Sequence, residues 1–371
     1  MADSLRKAVM QAMTTVYDPE IRRPITDLGM VEGVEVDGGK VTVHALLTVA
    51  GCPLQDTLAR DIEAAARSVD GVTEVTVRLD VMSEEQRANM TARLRRSGAA
   101  PASQPGTPQN IFQDSATKTK VLVVASGKGG VGKSSLTVNL AAALAARGER
   151  VGLLDADVYG HSIPAMMGIA DERPTMVDDV IMPVVAHGVA TMSLGLMKES
   201  RDQVIAWRGP MLDRALSQML SDVYWGDLDY LLVDLPPGTG DMPMSVARQL
   251  PTGRVLVVTT PNEAAYEVAE RAGTLAKMLK QPVIGVVENM SWLETVCPHC
   301  HQTHRVELFG SGGGGAVADA LTLGSGDPVP LLAQIPLDVA LRAGGDDGQP
   351  VVVADPDSPA AQAITALADR L

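Results

Sequence analysis

The run Ser126-Gly127-Lys128-Gly129-Gly130-Val131-Gly132-Lys133-Ser134 constrains this chain more than any other segment. Gly127, Gly132, Lys133 and Ser134 fill the G-x-x-x-x-G-K-[ST] spacing of a phosphate-binding loop. Residues 120–125 before it read as a short buried strand, and Leu136, Leu140 and Leu144 after it recur at helical spacing. Strand, glycine loop and helix in that order aim backbone N–H groups and a helix N-terminus at a single anion. Gly129, Gly130 and Gly132 let the main chain bend around Val131 and approach phosphates without an intervening Cβ. Residues 127–134 are therefore expected to bind a nucleoside triphosphate, with Lys133 on the phosphates.

From Thr119 onward, strand and helix patterns alternate. Val151–Asp155, Tyr230–Asp234, Val255–Thr259 and Val283–Val287 are continuous apolar runs, as parallel strands buried on both faces require. Helices are expected at Ser134–Arg147, Met211–Val223 and Glu263–Leu279. The pattern predicts an α/β fold, a doubly wound and mostly parallel sheet with its ligand at the carboxyl ends of the strands. Asp234 ends one apolar run and can hold Mg²⁺ opposite the Ser134 hydroxyl. Pro236 and Pro237 stiffen the segment after it, and Gly238 is expected to leave a backbone amide free for a γ-phosphate. Asp155 and Asp157 end another run. A solvated strand edge or a helix cap is the plainer reading of each acid.

Cys297-Pro298-His299-Cys300 is the second constraining feature. Two thiolates at this spacing ligate one metal centre through a tight turn. A thioredoxin-like disulfide motif would open a helix, and no helical apolar pattern follows here. A zinc site could draw on Cys297, Cys300 and His304, since three of the six histidines fall between residues 299 and 304. An iron–sulfur cluster commonly takes four thiolates, which two copies related by a two-fold axis would supply.

Residues 1–87 read as a small α/β domain. A helical stripe of Leu5, Val9, Met13 and Val16 precedes alternating strands around Asp37-Gly38-Gly39, then a helix near Leu54–Ser68 and a strand over Val75–Val81. Residues 88–118, rich in Ala, Ser, Pro and Gly from Arg93 on, read as a flexible linker, and residues 119–371 as the nucleotide-binding domain. The net charge of −14 argues against a dedicated nucleic-acid binder. Neither a signal peptide nor an apolar run of membrane-spanning length is evident, so a cytoplasmic protein with no membrane partner is expected. In that reducing setting the three cysteines suggest metal or redox chemistry rather than structural disulfides. Cys52 stands before Pro53 at a predicted helix start, where a thiolate is favoured; a small buried apolar residue is the plainer reading.

Gly-Lys-Gly-Gly-Val-Gly-Lys-Ser resembles the deviant phosphate loop of the ATPases that include Mrp-type iron–sulfur carriers, nitrogenase reductase and the partition and division-site ATPases. The blocks from Asp234 to Asp241, Val287 to Ser291, Cys297 to Cys300 and Leu308 to Gly310, with Trp207–Pro210, Ile335–Asp338 and Asp355–Pro359, resemble Mrp/ApbC-type iron–sulfur cluster carrier ATPases. The resemblance implies ATP as the nucleotide. It further implies that Lys128 reaches into a partner's nucleotide site, that Asp157 orients the attacking water and Asp155 assists the metal, that Asn289 contacts adenine, and that a 4Fe-4S cluster is shared across a homodimer by Cys297 and Cys300. The implied activity is ATP hydrolysis coupled to cluster transfer to apo-proteins, alongside the assembly machinery. The family often has Gly after the second cysteine, where this chain has His301. Asp18-Pro19-Glu20, Thr26–Gly29 and Gly51-Cys52-Pro53 resemble the small iron–sulfur-assembly domain often fused ahead of these ATPases. The alternative is a zinc-bound positioning ATPase of the partition and division-site class.

Overall fold

The computed structural model describes residues 2–19, 21, 23–48, 55–97, 110–114, 116–158, 160–197, 209–262, 271 and 273–371. Its backbone contacts divide the chain into two units, Met1–Ser103 with Met176–Met182, and Gln104–Thr175 with Pro183–Leu371. Cys52 lies outside the described residues.

In the first unit, α1 (Ala2–Met13) buries Val9 and Met13, two members of the apolar stripe. β1 (Val31–Asp37) and β2 (Lys40–Leu47) pair antiparallel, closing with Asp37 opposite Lys40. The two residues between them are Gly38 and Gly39, and Gly38 takes φ +61°, a backbone state that glycine adopts without a Cβ penalty. α2 (Gln55–Arg67) buries Leu58, Ile62 and Ala66, and β3 (Glu74–Val81) joins β2 in parallel. Helix α3 (Glu84–Ser97) runs into the stretch expected as linker from residue 88. Its apolar residues are sparse, yet Met90 and Leu94, four apart, are both buried.

Among the described residues the second unit is built on a nine-stranded sheet. β4 (Lys120–Ser126), β5 (Val151–Asp155) and β10 (Tyr230–Asp234) lie at its centre. Between β4 and β5 runs α4 (Lys133–Ala146); α5 (Ile163–Met166) follows β5. The hairpin strands β6 (Thr175–Val177) and β7 (Val180–Met182), which fall almost wholly in the first unit, form a two-stranded sheet of their own among the described residues, while β8 (Val184–Ala186) and β9 (Val189–Ser193) extend the larger sheet. Then come α6 (Gly209–Ser221), β10, α7 (Asp241–Gln249), β11 (Arg254–Thr259), β12 (Val283–Val296), β13 (Thr303–Val306), α8 (Gly313–Ser325), β14 (Leu331–Leu337), α9 (Val339–Asp347), α10 (Val351–Ala354) and α11 (Pro359–Ala368). Residues 271 and 273–278 are helical; residues 263–270 and 272 of the expected helix lie outside the described residues.

The strand order is β13-β12-β11-β4-β10-β5-β9-β8, with β14 also on β12. Pairs in the middle are parallel, and among the described residues of this sheet only β8 on β9 and β13 on β12 run antiparallel. Every residue of β5 and β10 is buried, which explains their unbroken apolar sequence. Helix α4 is apolar on nearly all sides because it lies within the core, Leu136, Leu140 and Leu144 packing in one cluster with Leu122, Leu232, Ile364 and Leu367. Burial of these aliphatic side chains supplies the driving force, roughly 1.5–3 kcal/mol for each large one. The sheet thus presents the ends of β4, β10 and β5 on one edge. Among the described residues no helix is long and apolar enough to cross a membrane.

Candidate functional site

The phosphate loop follows β4 and opens α4 at Gly132, whose φ of +80° and uncapped position leave the first amides of the helix without side-chain partners. Gly130 is left-handed too, at φ +81°. A Cβ on Gly132 would collide with the Asn289 side-chain amide, so the loop closes against β12 only with glycine there. The first amides of this 14-residue helix, uncapped by any side chain from Gly132, form a cradle suited to phosphate.

Lys133 is buried and its Nζ lies 2.6 Å from Oδ2 of Asp234, a carboxylate that is 0% exposed. The Ser134 hydroxyl donates to the same oxygen at 2.6 Å, and Thr137 Oγ1 donates to Oδ1 at 2.8 Å. Asp234 is therefore satisfied on both oxygens by α4, one turn of which carries lysine, serine and threonine toward β10. Thr137 escaped the sequence reading; the signal was a hydroxyl four residues after Lys133 on an otherwise aliphatic helix face.

Parallel pairing sets Asp155 of β5 directly beside Asp234 of β10. Asp155 is also buried, accepting from Ser193 Oγ at 2.8 Å and from the Asp157 amide at 3.1 Å. Burial first, and then the neighbouring Asp234 charge, push the Asp155 carboxyl up to about 8. In the unfolded chain it would ionise near its ordinary value of 3.8. The folded state binds the extra proton between those two values, so this group makes stability fall as pH rises through the window. Asp155→Asn keeps the shape, its oxygen still accepting from Asp157 while its NH₂ turns to Ser193. It is expected to leave the Tm of nucleotide-free protein unchanged near pH 4 and raise it by several degrees at pH 8. Thermal melts of both proteins across that range check this, and parallel curves would refute it.

Asp157 is half-buried and caps its own turn, Oδ1 accepting from the Gly160 amide at 3.0 Å. A Cβ on Gly160 would come within 2.7 Å of Asp157 Oδ2. Lys128 points its Nζ to Asn262 Oδ1 at 3.3 Å, within its own chain. The Gly238 amide, expected to be free for a phosphate, donates to the Ser126 carbonyl at 2.9 Å. Its φ of +91° serves the return of the chain after Pro237 against β4. Asn289 is buried and donates from Nδ2 to the Val131 carbonyl at 2.9 Å, while its buried Oδ1 has no partner among the described residues. An orphaned acceptor beside the loop suits a donor arriving with a ligand. Glu288, also unanticipated, is a buried carboxylate tying α8 and β14 to β12: it accepts from the Gly314 amide at 2.6 Å, Gln334 at 2.7 Å and Ser291 at 2.9 Å.

The cysteines stand elsewhere, at the tip of the β12–β13 hairpin. Val296 pairs with Thr303, and the Cys297 amide donates to the Gln302 carbonyl at 2.9 Å, closing a tight loop. Hydrogen bonds from the Cys300 amide, then the His299 amide, then the Cys300 thiol hold the Cys297 thiol below its ordinary value. His301 takes φ +54°, a left-handed state that glycine adopts freely and other residues adopt at a cost. Both cysteines are free thiols, and the ligand atoms of Cys297, Cys300 and His304 lie within 4.8 Å of one another. Two soft sulfurs and an imidazole suit zinc or iron.

A family model described as NUBPL iron-transfer P-loop NTPase matches residues 117–371, and one described as iron-sulfur cluster assembly protein matches residues 6–77. An iron-sulfur cluster carrier protein of Mycobacterium leprae is 49% identical across 100% of this chain and 93% of its own length. One from Deinococcus radiodurans is 40% identical over 99% of this chain and 95% of its own. Among solved structures, a nucleotide-binding protein from Archaeoglobus fulgidus in complex with ADP is 34% identical, with a TM-score of 0.52 over 65% of this chain and 89% of that one.

Proposed function

This chain belongs to the iron-transfer P-loop NTPase family, and from that premise we propose that it hydrolyses ATP and carries an iron–sulfur cluster, held between two copies of itself, to apo-proteins. The observation that carries this reading is the coexistence in one sheet of a phosphate cradle backed by Lys133 and Asp234 and a hairpin presenting two free thiols. The curated relatives that match the whole chain are named for cluster carriage. The positioning-ATPase alternative loses ground on that kinship and on the cysteine pair, for which such work has no use.

In this reading the amides of Gly129–Ser134 hold the β- and γ-phosphates and Lys133 leaves Asp234 for their oxygens. Ser134 and Asp234 would hold Mg²⁺, with Asp155 behind them; the ion supplies neutralisation of the charge developing on the phosphates. Asp157 orients water for attack on the γ-phosphorus, the bond to the bridging oxygen breaks, and ADP and phosphate leave. Lys128 releases Asn262 and reaches the partner's phosphates, and Asn289 offers Oδ1 to the adenine amino group. Cys297 and Cys300 of both copies ligate the cluster cargo, of the 4Fe-4S type. We read the compartment as the cytoplasm, whose reducing poise keeps these thiols free. The small N-terminal unit, carried past residue 87 by α3, would serve exchange with the assembly machinery.

Anaerobic reconstitution followed by iron and acid-labile sulfide analysis, gel filtration and ATPase assay tests the reading. About four iron and four sulfide per dimer are expected. Stoichiometric zinc with no sulfide, or a monomer retaining full activity and cargo, would overturn it.

A further inference from the structure

The third donor at the hairpin tip is not needed by a cluster ligated by two cysteines from each copy. His304 sits on β13 opposite Thr295, and this antiparallel register directs it back toward the knuckle, its Nε2 4.0 Å from Cys300 Sγ. All three ligand atoms fall within 4.8 Å of one another. Ligands around a tetrahedral zinc, at about 2.3 Å for sulfur and 2.0–2.1 Å for nitrogen, stand somewhat under 4 Å apart. A modest inward movement of side chains suffices, since Cys300 and His304 are exposed. The backbone is already constrained by the Cys297–Gln302 and His301–Cys297 hydrogen bonds, both 2.9 Å.

We propose that His304 completes a three-donor site with Cys297 and Cys300, so that a single protomer binds one divalent zinc-class or ferrous ion with its fourth position open to solvent. The inference deepens the carrier reading and rests on it for the assignment of the two cysteines as ligands. Its consequence is competition: a single ion occupying both thiolates of one copy denies them to a cluster bridging two. Divalent zinc binds thiolate and imidazole more tightly than ferrous iron does, so zinc is the stronger competitor.

The test is an anaerobic titration of the reduced full-length protein with cobalt(II), whose thiolate charge-transfer and tetrahedral ligand-field bands report the donor set. One cobalt per chain is expected. His304→Ala is expected to weaken cobalt binding at least about 10-fold. His299→Ala, a matched change in the same knuckle outside the donor set, is expected to leave the affinity unchanged. Both positions are exposed, so neither change endangers the fold. Cluster reconstitution on His304→Ala is expected to give wild-type iron and sulfide. Cobalt affinity indifferent to His304, or one cobalt per two chains, overturns the inference while a normal cluster would leave the carrier reading standing. A wild-type protein that takes no cluster yet shows His304-dependent cobalt binding would instead overturn the carrier reading and support the three-donor site.

Discussion

Lys133→Ala is expected to reduce ATP turnover by at least about 10²–10³-fold, the loss that follows removal of one preorganised charge contact to a reacting group. The lysine is 6% exposed and the end of its side chain is already at the edge of the phosphate cradle, 2.6 Å from Asp234. Its removal has a second effect, because Asp234 is fully buried and loses its only cationic partner among the described residues. Leaving such a carboxylate unpaired costs about 3–5 kcal/mol, so the variant is also expected to melt earlier. The double variant Lys133→Ala/Asp234→Asn separates the two effects. It should regain much of the lost stability, since a neutral amide can be held by Ser134 and Thr137, yet remain inactive. Melting curves and steady-state phosphate release on the three proteins decide the matter. Wild-type turnover in a folded Lys133→Ala protein would remove this loop from the chemistry.

Cys297→Ser and Cys300→Ser are each expected to bring iron and sulfide after reconstitution close to background. In a two-fold dimer either change deletes two of four thiolates, because both copies carry it. Hydrolysis should be nearly unaffected in the absence of cargo. The hairpin tip is exposed and makes no part of the apolar core, so the fold should move by no more than about 0.5 kcal/mol. Metal and sulfide analysis beside a circular dichroism melt makes the comparison. Full cluster content in either variant would mean that the ligands lie elsewhere.

The centre of the larger unit was legible because its strands are buried on both faces and therefore written as unbroken apolar runs. Val151–Asp155 and Tyr230–Asp234 coincide with β5 and β10 to the residue. Periodicity fails at the margins. β6 and β8 are three residues long, too short for an alternation to register. β12 was expected to end at Val287 but continues to Val296, held by β13 after its apolar stretch gives way to Glu288-Asn289. The phosphate loop and Cys297/Cys300 were readable because their spacing is chemical. Thr137, Ser193 and Glu288 were not, because each acts through a partner distant in sequence: Asp234, Asp155, and Gly314 with Gln334. The Gly238 amide was misjudged for a similar reason, since its acceptor is the carbonyl of Ser126. His304 appeared only as one of several possible zinc donors until the β12–β13 register brought it beside Cys300.

The length of β12 joins two motifs that stand apart in the sequence. Asn289 grips the carbonyl of Val131 in the nucleotide loop, and the same strand ends at Val296, next to the first cysteine. At strand rise the two points are on the order of 25 Å apart along one covalent track. The track has a built-in elbow, for Met290 stands at φ +58° and the pairing with β14 skips between Asn289 and Leu293. The phosphate loop and the cysteine pair are thus tied to one strand, whose bend falls one residue beyond the Val131 contact.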